Sequence, residues 1–161
     1  MPELSARLLD VLKETLECEE RICCLMEQHK KLLIAGREVT AESILDEIQQ
    51  LCSSVSASES RRETVVREIA EVEGLDPTEL TANKLLELPS LLSIREELAS
   101  VTTRLRQVVK GIVQLRDEIE ALALHAKAYS DFVLSVLQQN AQTKPYGSVT
   151  LPYSRFISVR T

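Results

Sequence analysis

The sequence predicts an all-α fold: an antiparallel long-helix bundle, or coiled coil, of three helices with a short helical link between the second and third. Three observations carry the prediction. A heptad seam runs from Leu91 to Val136. Glycine and proline are scarce, at 4 and 5 of 161 residues, and most of them fall where long helical segments would begin or end. The chain has no Trp, 3 Tyr and 2 Phe, which leaves little from which to build hairpins or a sandwich, whereas Leu and Glu lead and Ala and Arg are frequent.

The first helix is expected over residues 3–35. Leu8, Leu9, Leu12, Leu16, Ile22, Cys23, Met26, Leu32 and Leu33 fall on one broad stripe. Acids concentrate early and Lys30 and Lys31 sit late, as the helix dipole prefers, and Gly36 is placed to end the segment in a left-handed cap. A second helix is expected over 40–73, with Thr40 as N-cap and Glu42 in the first turn. Its seam, Ile44, Ile48, Leu51, Val55, Ser58, Arg62, Val65, Ile69 and Val72, crosses a polar patch of Ser53, Ser54, Ser56, Ser58 and Ser60. That patch can be read as a linker between two shorter helices. One continuous helix is preferred, because the heptad phase is the same on both sides, and Gly74 closes it.

The link spans 77–88. Asp76 as cap, Pro77 at the first helical position and Glu79 three residues after the cap form a helix-start signal. Leu80, Leu85, Leu86 and Leu88 would then cover the open end of the bundle. Pro89 or Ser90 starts the third helix, 90–140. Leu91, Ile94, Leu98, Val101, Leu105, Val108, Ile112, Leu115, Ile119, Leu122, Ala126, Tyr129, Val133 and Val136 repeat there at spacings of three and four. A helix of that length is a rod of roughly 75 Å, which needs partners along its whole course. Gly111 sits inside it at a cost of about 1 kcal/mol relative to Ala, so either another helix crosses closely or the helix is locally weak; close approach is preferred.

Residues 1–140 are expected to form the bundle and 141–161 a flexible C-terminal tail. The tail holds Lys144, Arg155 and Arg160 and no acid, with Tyr146, Tyr153 and Phe156 as possible contacts, and Pro145, Gly147 and Pro152 exclude a helix. Such a basic, aromatic segment on an acidic body could instead fold back on it or fold on a partner. The whole chain carries a net charge of -6 with basic residues dispersed among acids, which argues against nucleic acid and anionic lipid and in favour of protein partners. No apolar run is long enough for stable membrane insertion, and the Met-Pro-Glu start has no signal-peptide character, so a cytoplasmic protein is expected.

Nothing in the sequence assembles into catalysis, and no enzyme activity, cofactor or metal is expected. His29 and His125 have no nucleophile or carboxylate constellation around them. Cys18, Cys23, Cys24 and Cys52 lack the second pair of a zinc site and read as small buried or half-buried helix residues. The carboxylates read as solvated helical pairs, Glu63 with Arg67 and Glu97 ahead of Arg104.

The order of elements, with a first helix ending Lys31, Leu32, Leu33, Ile34, Ala35, Gly36 and a last helix ending in Tyr129, Phe132, Val133, Leu134, Val136 and Leu137, resembles the FlgN family of flagellar type III export chaperones. The resemblance covers residues 3 to about 140, and the tail matches the family poorly. It implies a cytosolic helical chaperone of hook-associated proteins, those of the hook-filament junction. Such a chaperone keeps its cargo soluble and delivers it to the flagellar export gate, and it engages the cargo chiefly through the C-terminal region.

The residues independently point to the same end of the chain. Two helices of about 30 residues can cover only part of one of about 50, leaving roughly 25 Å without an intramolecular partner. Tyr129, Phe132, Val133, Val136 and Leu137 would form one apolar face there, expected to bind protein cargo. The same face could instead serve self-association, making the chain a structural coiled-coil adaptor that acts as a homo-oligomer, or fold back onto Leu4 and Leu8.

Overall fold

A computed structural model describes residues 2–37 and 42–142. In order these form α1 (Pro2–Ile34), α2 (Glu42–Glu73), a 3₁₀ turn (Pro77–Glu79), α3 (Ala82–Glu87), a 3₁₀ segment (Pro89–Ile94) and α4 (Arg95–Gln142). Among the described residues there is no strand, and the all-α expectation holds. Thr40, expected to cap the second helix, lies outside the described residues, as do Tyr146, Tyr153 and Phe156 of the tail.

Both helix-terminating glycines act as expected. Gly36 adopts φ 66° and Gly74 φ 67°, the left-handed region that costs glycine least. The Arg37 amide then reaches back to the Leu32 carbonyl and the Leu75 amide to that of Ala70, closing α1 and α2 with the same six-residue hydrogen bond.

The serine-rich patch is continuous helix. Ser53, Ser54 and Ser60 donate their hydroxyls to the carbonyls of Gln49, Gln50 and Ser56 at 3.1, 3.3 and 3.2 Å, so their polar groups are used inside the helix rather than against it. Ser58 occupies a seam position and is fully buried, its hydroxyl accepting from Arg61 at 2.9 Å. On α1, buried Thr15 donates to the Val11 carbonyl at 2.8 Å.

At the link, Asp76 caps as expected, accepting from the Thr78 amide at 2.8 Å and its hydroxyl at 2.7 Å, but the turn it opens is 3₁₀ and stops at Glu79. Those two bonds, the hydroxyl first, hold the Asp76 carboxyl below its ordinary value. Thr81 then caps the separate α3. The long helix begins at Arg95, later than Pro89 or Ser90, because Pro89–Ile94 winds as a 3₁₀ segment. The Arg95 guanidinium closes on the Leu86 carbonyl at 2.6 Å.

Ion pairs between helices give the topology. Arg7 with Glu68, Glu14 with Arg61 and Arg21 with Glu47 climb along α1 while descending α2, so these two are antiparallel. Lys13 with Glu97, Glu20 with Arg104 and Lys30 with Glu118 climb along both helices, so α4 runs parallel to α1. Glu97 and Arg104 thus correct an expectation: each pairs across to α1 and not along its own helix. Exposed pairs of this kind add little stability, and their value lies in fixing direction and register.

The core lies where the link meets the three long helices. Leu8, Val65, Val66, Ile69, Leu85, Leu91 and Leu98 are buried together, with Leu4, Leu12, Leu80, Leu86, Leu88 and Ile94 packed against them. The link leucines therefore do cover this end. Each fully buried Leu or Ile contributes about 1.5–3 kcal/mol relative to leaving it exposed. At Gly111 a Cβ would meet the Cys23 sulfur at 3.8 Å, so α1 does pass there, but in ordinary contact that would also admit alanine.

Candidate docking face on α4

Written as heptads, α4 places Leu98, Leu105, Ile112, Ile119, Ala126 and Val133 at a and Val101, Val108, Leu115, Leu122, Tyr129 and Val136 at d. Up to Leu122 these positions are buried or half-buried. The g positions of the same stretch are Glu97, Arg104, Gly111 and Glu118. Three of them make the ion pairs to α1, and the fourth faces Cys23 of α1. The bonds from Lys30 and then Gln114 hold the Glu118 carboxyl below its ordinary value, and the bond to Glu97 raises Lys13.

This pairing also says where the cover ends. Lys30 is level with Glu118, and α1 stops at Ile34. Parallel helices rise equally, so the last α4 residue that α1 can accompany is about residue 122. The chain divides into two compact units at that point, Met1–Ala123 and Leu124–Thr161. The uncovered length expected at the end of the long helix thus begins where α1 has run out.

Within the second unit α4 continues with its repeat intact, yet none of residues 124–138 is buried. Tyr129 is 70% exposed, Phe132 64%, Leu137 49% and Val136 37%, while Val133 is half-buried. Helical spacing puts these five side chains on one side of the helix. Leu124 and Leu134, 62% and 56% exposed, are further exposed apolar side chains of this stretch, but they sit on the side of the helix away from the seam. They occupy f and b positions outside the repeat, so only their hydropathy marks them. Both aromatic residues of the described chain, Tyr129 and Phe132, belong to this face. Large exposed aromatics offer wide contact area at small entropic cost on docking.

His29 is half-buried on α1 and His125 exposed on α4. All four cysteines are free; Cys18 and Cys23 are half-buried as expected, whereas Cys24 and Cys52 are exposed. Burial first, and neighbouring carboxylates second, push the Cys18 and Cys23 thiols up, which makes them poor nucleophiles. Among the described residues no group of three or more His, Cys, Asp or Glu is placed to hold a metal ion, and no helix is long and apolar enough to cross a membrane.

A family model described as FlgN protein matches residues 1–149, most of the chain and further into the tail than the sequence resemblance reached. No curated protein and no solved structure matches the chain.

Proposed function

The chain belongs to the FlgN family of flagellar export chaperones, and on that premise we propose that it binds hook-associated proteins of the hook-filament junction in the cytoplasm, keeps them soluble and unassembled, and delivers them to the flagellar export gate. It does so as a binding protein without enzymatic activity.

The observation that carries this reading is the uncovered seam of α4. Tyr129, Phe132, Val133, Val136 and Leu137 present an apolar stripe whose counterpart in the first unit is covered by α1. An amphipathic segment of cargo laid along it removes aggregation-prone surface from water on both partners. Full burial of each such side chain is worth about 1.5–3 kcal/mol, much of it offset by ordering the cargo segment, and the resulting moderate affinity suits cargo that has to be released.

Substituting Tyr129→Glu, Phe132→Glu and Val136→Glu together tests the proposal. Helicity by circular dichroism should stay unchanged, since these side chains support no core and Glu favours helix, while co-purification with a hook-filament junction protein is lost. Undiminished cargo affinity would overturn the assignment. Self-pairing of the face, the adaptor reading, is separated by mass in solution: a monomer at micromolar concentration speaks against it.

A further inference from the structure

The a and d positions of α4 keep their apolar character to Val136, but the positions that flank them change abruptly. In the first unit the g positions are Glu97, Arg104, Gly111 and Glu118, and every charged one is matched by an opposite charge on α1. Past Ala123 the g positions are His125, Phe132 and Gln139 and the e positions Ser130 and Leu137. The only Lys, Arg, Asp or Glu between 124 and 142 are Lys127 and Asp131, at b and f, on the side of the helix away from the seam.

Flanking positions of a heptad seam select the partner, because a charge there is either matched or left desolvated against the interface. α1 is selected by alternating charges. Whatever occupies residues 124–138 meets no charge to match, and Phe132 and Leu137 extend the apolar stripe into both flanks. From this loss of charge along a seam that is otherwise continuous, and resting on the docking role proposed above, we infer that the partner segment is an amphipathic helix of the cargo whose apolar stripe is flanked by uncharged polar residues (Ser, Thr, Asn, Gln), so that recognition proceeds by apolar fit and not by charge. A Lys or Glu at the partner's flank would be pressed against Phe132 or Leu137 without a counter-charge and would weaken binding.

Two designed helical peptides test this against the full-length chain. They share one Leu/Val stripe and differ only at the flanking positions, Ser and Gln in one, Lys and Glu in the other. The uncharged peptide should bind about tenfold or more tightly than the charged one, equivalent to about 1.4 kcal/mol. Its affinity should change by less than about twofold between low salt and ~0.5 M salt, since no ion pair is screened. Phe132→Glu in the chain should reverse the preference toward a peptide with Lys at the facing flank and introduce salt dependence. Equal binding of the two peptides, tighter binding of the charged one, or a strong salt dependence with the uncharged one overturns the inference while leaving the docking face in place. Binding of neither peptide, or binding that survives Tyr129→Glu with Val136→Glu, removes the docking face itself. A dimer of the free chain that those two substitutions dissociate would make a second copy the occupant and overturn the inference.

Discussion

Between Arg95 and Leu122, α4 buries Leu98, Val101, Val108 and Leu115 and matches the charges at its g positions to α1, whereas from 124 to 138 the same helix with the same repeat buries no residue fully and only Val133 in half. Nothing in the apolar spacing separates the two regions. What separates them is the length of α1, which stops at Ile34, and the identity of the flanking residues. A hydrophobic repeat specifies a surface able to be buried; the reach of its neighbours decides where burial happens, and the flanks decide with what.

The contrast can be broken most directly by truncating one side chain in each region. Leu98 is 2% exposed and lines a partly open pocket of about 230 Å³, with Leu8, Leu12, Val66, Leu85 and Leu105 on its apolar side and Glu59, Arg62 and Thr102 also at its wall. Leu98→Ala enlarges space the neighbours already leave unfilled, and chemical denaturation should show a loss of about 2–5 kcal/mol. Phe132→Ala, which removes a larger side chain, should change stability by no more than about 0.5 kcal/mol while weakening cargo binding. A large stability loss at Phe132 would mean that the second region is structural.

A smaller effect tests whether α1 truly constrains α4 where they touch. Gly111 faces Cys23 with room for a Cβ, so Gly111→Ala should stabilise the chain by up to about 1 kcal/mol through helix propensity alone. Destabilisation would show that the two helices are closer than ordinary contact. Smaller again is the flank code of the first region. Lys30→Glu should weaken the bundle slightly, adding Glu118→Lys should recover it, and the recovery should vanish in high salt.

The sequence made the elements legible through particular residues. Gly36 and Gly74 ended their helices, the heptad phase across Ser53–Ser60 kept α2 whole, and the link leucines covered the core. Three things were not legible. The 3₁₀ winding of Pro89–Ile94 carries the same three-residue spacing as a helix start, so Leu91 and Ile94 read as α-helix. The partners of Glu97 and Arg104 depend on which helices are adjacent, and spacing along one helix considers only that helix. Leu124 and Leu134 lie at f and b positions that the repeat does not mark, so their exposure is not read from it, whereas Tyr129 to Leu137 follow the repeat.

The smallest expected effect concerns a carboxylate in the covered region. Glu19 is half-buried on α1, and burial first, then the negative charge of Glu59, raises its pKa above the ordinary Glu value. Its folded pKa lies above its unfolded one, so the folded chain favours the protonated form. As pH rises through that interval the side chain ionises against its surroundings and stability falls. Glu14 behaves in the opposite sense: its bond to Arg61 lowers its pKa, and its contribution is lost as pH falls. Glu19→Gln should therefore raise the melting temperature at neutral pH, and the gain should shrink to nothing on acidification below the unfolded Glu pKa, where the parent is already neutral at this position. A Glu19→Gln gain that persists unchanged into acid would show that the substitution acts through packing or helix propensity, and that the covered region does not hold this charge at a cost.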